Sequence, residues 1–204
     1  MTILSVNKTR EPMGAMRPLF VYGRDCALLF LYTGDFMKRN TRFLSHAALI
    51  AALYVALTYL QNLLIPNSTT WAIQFRASEA LCVLALFTPA AIPGLTIGCL
   101  LFNISSAAAL PLDFVVGSLA TLLAVTSMYL TRKIPEKGYP FLSMIMPAVW
   151  NALLVGWELT VYIGGGFWLN ALYVAIGEVA VLLTLGTLLF CGIKARRLEH
   201  RLFG

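Results

Sequence analysis

Trp71-Ala72-Ile73-Gln74-Phe75-Arg76-Ala77-Ser78-Glu79-Ala80-Leu81 places an arginine and a glutamate at the mouth of a strongly apolar run. An ionised side chain at the centre of a bilayer costs at least ~2.5 kcal/mol, so such residues pair with one another or meet a ligand. Ser78 as a helix N-cap and Glu79 as a first-turn acid both suit the positive end of a helix. Arg76 does not, because a cation is disfavoured there, and Trp71 and Gln74 gain nothing from capping. Recognition of a polar solute accounts for this stretch at least as well as capping does.

The surroundings of that stretch fix the class of protein. Of 204 residues, 59% are hydrophobic and only 12% charged, and the mean hydropathy is +0.80. That is more apolar surface than a soluble domain needs, and the expectation is an all-α integral membrane protein. The net charge of +6 is unevenly distributed: from Met37 onward, every lysine and arginine except Arg76 lies in a short block flanking an apolar segment. This grouping argues against nucleic-acid binding. Cys26, Cys82, Cys99 and Cys191 are widely separated and form no Cys/His ligand cluster, so they read as buried apolar thiols, with neither a disulfide framework nor a metal site.

Apolar runs long enough to span a bilayer, about 17 to 25 residues, mark the helices. Six are expected: Leu44 to Ile65, Ser78 or Glu79 to Phe87, Ala90 to Ala109, Pro111-Leu112-Asp113 to Leu130, Pro140 to Ile163, and Phe167 to Ile193. The second is short, and reads either as tilted or as one half of a broken hairpin with the third. Pro89 and Pro93 are expected to bracket the turn between them. Lys38, Arg39 and Arg42 precede the first helix, Arg132, Lys133 and Lys137 lie between the fourth and fifth, and Lys194, Arg196, Arg197 and Arg201 follow the sixth. All three blocks fall on one side, which the positive-inside rule makes the cytoplasm, with both termini there. The bundle so drawn is a multi-pass protein of a bacterial inner or plasma membrane.

Residues 1–36 stand apart. The run Pro18 to Gly34 is interrupted by Arg24 and Asp25, is too short to span, and has no small-residue cleavage site. Met37-Lys38-Arg39-Asn40-Thr41-Arg42 reads as the start of a bacterial membrane protein, which suggests Met37 as a native start; an ordinary amphipathic or disordered tail is the alternative. The expected organisation is a leader at 1–36, a membrane domain at 37–193 and a basic cytoplasmic tail at 194–204.

With this topology the polar residues share the outer half of the bundle. Arg76 and Glu79 stand at the outer end of the second helix, Asn103 near the outer end of the third and Asp113 at the start of the fourth. Asn151 and Glu158, seven residues apart, share a face of the fifth. Glu178 lies about 15 Å along the sixth at 1.5 Å per residue. Acids from four helices thus converge on an outward-facing cavity. A carboxyl as deep as Glu178, with no base in its own helix, points to function. Asp113 reads as an N-cap rather than a ligand contact, and Asn103 and Asn151 suit interhelical or ligand hydrogen bonds equally. Trp71, Trp150, Trp157, Tyr162, Trp168 and Tyr173 lie at similar depths, where most aromatics are belt anchors and one or two line a pocket. The candidate site residues are Trp71, Arg76, Glu79, Asn103, Asn151, Glu158 and Glu178.

Helix one carries a second signal. Ala48, Ala52 and Ala56 recur every four residues with Ala47 and Ala51 beside them, a smooth stripe that admits another helix, in the same chain or in a partner. No HExxH, Ser/His pair, acidic metal cluster or Walker GxxxxGK[ST] occurs, so neither an enzyme nor an ATPase is expected, and no cofactor is implied.

Gln74 to Leu81, then Gly94-Leu95-Thr96-Ile97-Gly98 with Asn103, Asp113 through Gly117-Ser118-Leu119-Ala120-Thr121-Leu122, Pro147 to Asn151 and Gly177-Glu178 together resemble the queuosine-precursor transporter (QueT) family. The resemblance covers about Met37 to Ile193; the leader departs from it. It implies the six-helix fold of a substrate-binding S component of an energy-coupling factor (ECF) transporter, working with a transmembrane coupling subunit and two ATPases. It further implies a 7-deazaguanine substrate such as queuine, and docking through the alanine stripe. An S component for another small vitamin or nucleobase, or a stand-alone proton-coupled transporter, remain the alternatives.

Overall fold

A computed structural model of the chain describes residues 22–66, 75–106, 110–134 and 139–196, with side chains from residue 41 onward. The chain divides into two compact units, Met1–Asn40 and Thr41–Gly204. In the first, the described part is helical backbone from Tyr22, the start of helix α1 (Tyr22–Leu64). The second unit holds the rest of α1, a 3-10 helix (Ala77–Leu86), α2 (Ala91–Ser105), α3 (Asp113–Thr131), α4 (Phe141–Tyr162), α5 (Phe167–Val181), a π turn (Leu182–Gly186) and α6 (Thr187–Ala195). Among the described residues there is no strand. Each of the six expected apolar segments holds a helix, the sixth being α5, the π turn and α6 run together; the third ends at Ser105, short of the expected Ala109, and 107–109 lie outside the described residues.

Four of these segments are long and apolar enough to cross a membrane: Thr41–Leu64, Asp113–Thr131, Phe141–Tyr162 and Phe167–Ala195. The second and third segments are shorter, and the second is the inner one. The 3-10 helix is buried from Ser78 to Ala85 and packs against α2, α3, α4, α5, the π turn and α6. A helix that is apolar on every side belongs inside a bundle. At about 2.0 Å per residue, the tighter 3-10 winding also carries ten residues across about 20 Å, where an α-helix would reach about 15 Å.

Its two ends are fixed by side chains. At the start, the Gln61 side-chain amide donates to the Phe75 carbonyl while its oxygen accepts the Ala77 N–H at 2.6 Å, satisfying one of the free donors of a helix start. At the finish, Phe87 to Ala90 form the turn, where the Thr88 hydroxyl accepts the Ala90 N–H at 3.3 Å. The break therefore precedes Pro93. That proline lies in the first turn of α2, where its missing N–H costs no helical bond.

α1 and α2 touch backbone to backbone. A Cβ on Gly94 would come within 2.7 Å of the Ala47 carbonyl, and one on Gly98 within 3.0 Å of the Ala51 carbonyl and 2.9 Å of Tyr54 Cβ. Gly94 and Gly98 form a GxxxG face that receives the alanines of α1. The stripe on α1 is thereby two stripes. Ala47, Ala51, Tyr54 and Thr58 face inward and are buried, whereas Ala48, Ala52 and Ala56 face outward and are exposed.

The core beneath joins Ile50 and Tyr54 of α1, Leu81 to Ala85 of the 3-10 helix, Leu95, Val125, Met144 and Phe190. A smaller cluster of Ala120, Val155, Leu159 and Val174 ties α3, α4 and α5 together. Cys82 and Cys99 are buried as expected, but Cys191 is exposed. It stands on the outer side of the final helix, where a small apolar thiol suits a lipid-facing surface.

Candidate functional site

The arrangement of α2, α3, α4 and α5 brings these polar residues of the core into one half of the bundle, the half nearer the α2–α3 and α4–α5 connections. Arg76, Glu79, Asn103, Asp113, Asn151, Glu158 and Glu178 are all buried there. Trp71 lies outside the described residues. Trp157, Tyr162 and Trp168 turn outward, Trp168 being 80% exposed, while Trp150 donates from Nε1 to Ser127 Oγ at 2.9 Å.

Arg76 is the hub. It is 6% exposed, and its Nη2 lies 3.9 Å from Asp113 Oδ1. Asp113 is not the N-cap of α3, a position that Leu112 holds. Its second oxygen instead accepts the Leu110 N–H at 3.1 Å, and its own N–H returns to the Leu110 carbonyl at 3.0 Å. This reciprocal turn fixes the carboxylate toward Arg76. Asn103 locks the same corner, donating from Nδ2 to the Asp113 carbonyl at 2.8 Å. Gly117 leaves room for that amide, since a Cβ there would stand 2.8 Å from Asn103 Nδ2.

Glu79 is held on both oxygens. Tyr54 of α1 donates its hydroxyl to Oε1 at 2.8 Å, and Cys82, one 3-10 turn on, donates its thiol to Oε2 at 3.1 Å. One turn further along α1, Thr58 Oγ1 is 2.8 Å from Ser78 Oγ. The inner stripe of α1 is therefore polar in this half and fastens the start of the 3-10 helix.

The two remaining acids are less occupied. Glu178 accepts from Asn151 Nδ2 at 2.9 Å through Oε1, which leaves Oε2 without a partner. It lies in the field of both Glu79 and Arg76. Glu158, at 0% exposure, sits against Asp113 and within reach of the Arg76 charge. It can hydrogen-bond to the Asp113 carboxyl only if the two share a proton, and neither of its oxygens meets a donor elsewhere in the protein.

Six buried side-chain atoms among the described residues have no hydrogen-bond partner: Arg76 Nε, Asn103 Oδ1, Ser118 Oγ, Glu158 Oε1, Glu158 Oε2 and Glu178 Oε2. Leaving one such group unsatisfied costs about 1–3 kcal/mol, more where it is charged. All six belong to the 3-10 helix start, α2, α3, α4 or α5.

Six of the seven sequence candidates thus lie in one buried polar group; the seventh, Trp71, was noted above. Sequence reasoning missed Tyr54, Cys82 and the pairing role of Asp113. Tyr54 had one legible signal, its place on the same helical face as Ala47, Ala51 and Thr58. No group of three or more His, Cys, Asp or Glu side chains among the described residues has the geometry to hold a metal ion.

The model of one protein family, described as QueT transporter, matches residues 44–195, most of the chain and all of the bundle from the first turns of its spanning α1 segment. No curated protein and no solved structure matches.

Proposed function

The chain belongs to the QueT transporter family and is a multi-pass membrane transporter; on that premise we propose that it is not an enzyme but the substrate-binding S component of an ECF-type importer for a queuosine precursor, queuine or another 7-deazaguanine. One observation carries the substrate reading: the buried atoms without partners comprise four carboxyl or amide oxygens, acceptors when the acids are ionised, and one hydroxyl against a single nitrogen donor, Arg76 Nε. The guest is accordingly rich in donors, with one acceptor to offer. A 7-deazaguanine has this inventory. Its ring N–H and exocyclic amine form a donor edge for a carboxylate, its carbonyl can accept from Arg76, and an aminomethyl-type substituent adds a cation for a second acid.

The partners in this reading are a transmembrane coupling subunit and two ATPases, in a bacterial plasma membrane with the basic end of the bundle in the cytoplasm. The docking surface is the outer stripe Ala48, Ala52 and Ala56. Its support is a groove of about 370 Å³ lined by Phe43, Leu44, Ala48, Ala52, Ile97 and Leu101, which gives a partner helix an apolar seat beside the small residues.

Calorimetry on the purified chain tests the substrate. Queuine is expected to bind and guanine to bind more weakly, because guanine lacks the charged arm. If no deazapurine binds, the substrate is another small vitamin or base. Reconstituted uptake tests the partners: accumulation by the chain alone, without ATPases, would favour a proton-coupled carrier using Glu158 and Glu178.

A further inference from the structure

Four of the six unpartnered atoms fall into two groups that differ in kind; the other two are Arg76 Nε and Ser118 Oγ. The first comprises Glu158 Oε1, Glu158 Oε2 and Asn103 Oδ1. These belong to one corner, because Glu158 sits against Asp113 and Asn103 is bonded to the Asp113 carbonyl. The second is Glu178 Oε2, on a carboxylate whose other oxygen is oriented by Asn151.

Depth separates them too. Glu158 stands four residues before the end of α4, and Glu178 eleven residues after the start of α5. At 1.5 Å per residue these are about 6 Å and about 16 Å from the connection joining the two helices. The difference is comparable to the length of a purine-sized base carrying a short amine arm.

We infer that Glu158, with Asn103, forms a subsite for a protonated primary amine on the substrate, while Asn151-oriented Glu178 reads the flat base. The inference rests on the deazaguanine reading and assigns its two ends. An ammonium is a compact charge with three donors that rotate. It suits three unpartnered acceptors beside a further carboxylate, and it does not require Glu158 to be held in one orientation. The donor edge of a base is planar and directional, and so requires an acid fixed beforehand, as Glu178 is. Glu79 is assigned to neither subsite: each of its oxygens already accepts one donor, from Tyr54 or from Cys82, as suits a residue that positions the start of the 3-10 helix and Arg76.

The test uses two probes with the same base: 7-aminomethyl-7-deazaguanine, cationic at neutral pH, and 7-cyano-7-deazaguanine, which is uncharged. Binding of each is measured by calorimetry on the purified full chain and on Glu158→Gln. The parent should prefer the aminomethyl compound. In Glu158→Gln its affinity should fall at least about tenfold, the equivalent of one charged hydrogen bond, while that of the cyano compound changes by less than about threefold. The cyano compound also reports folding of the variant, and Glu158→Asp should keep part of the preference because it keeps the charge. Equal loss of both probes, unchanged affinity for both, or a parent that favours the cyano compound overturns the subsite while leaving the deazaguanine reading in place. A parent that binds neither probe overturns both.

Discussion

Replacing Glu178 with glutamine separates recognition from folding. In the parent, Oε1 accepts from Asn151 at 2.9 Å and Oε2 has no partner within the protein. A glutamine of the same shape keeps an oxygen for Asn151 and puts an amide N–H where the unpartnered oxygen stood. The fold therefore loses no hydrogen bond, so the thermal midpoint of the ligand-free protein in detergent should hold or rise. Binding should respond in the opposite direction, because a donor on the substrate now meets a donor. Loss of one hydrogen bond to a charged acceptor is worth about 1.5–3 kcal/mol, or about ten- to hundredfold in Kd. Titration of queuine by calorimetry, with a melt of the same preparation, reads both quantities. Two results would refute the reasoning. Unchanged affinity would mean that Oε2 meets no ligand, and a thermal midpoint that drops together with affinity would mean that Glu178 is a structural acid.

Four other outcomes follow from the same geometry. Tyr54→Phe deprives Glu79 of its buried donor and should destabilise the fold by about 1–3 kcal/mol, read as a lower melting midpoint; an unaltered midpoint would show the hydroxyl to be dispensable. Gly98→Ala forces α1 and α2 apart at the Ala51 carbonyl and should cost about 1–3 kcal/mol, while Gly192→Ala, which meets nothing within 4 Å, should be neutral in the same melt. Ala52→Trp should abolish co-purification with a coupling subunit yet leave queuine affinity within about twofold, since the inward stripe of α1 is untouched; equal loss of both would place the outer stripe inside the protein's own packing. A cysteine introduced at Asn67 should be labelled by an impermeant thiol reagent in intact cells and one at Lys133 should not, a pattern whose reversal would invert the orientation drawn from the positive-inside rule.

The acids were legible in the sequence because charge within an apolar run is expensive, so Glu158 and Glu178 stand out from their neighbours without any structure. The same argument found Arg76 but not its partner. Asp113 follows a proline at a helix start, where a local capping rule explains an aspartate completely; only the tertiary packing of α3 against the 3-10 helix shows the carboxylate turned to Arg76. Tyr54 was hidden for a related reason, since a tyrosine among alanines and leucines is an ordinary packing residue until its hydroxyl is seen on Glu79. The alanines of α1 were visible as a stripe, yet residues one position apart on a helix differ by about 100° in direction, and the sequence does not say which of the two adjacent rows faces in. Gly94 and Gly98 decide it, because only the row of Ala47 and Ala51 meets glycines that admit its backbone. The 3-10 winding of Ala77–Leu86 has no such local signature. It is a consequence of burial: a segment of ten residues enclosed by five helices and a π turn gains more from reaching along the core than from ideal hydrogen-bond geometry. That winding sets the three-residue spacing that puts Cys82 directly above Glu79, so the conformation least readable in the sequence is what gives one of its most readable acids a partner within its own helix.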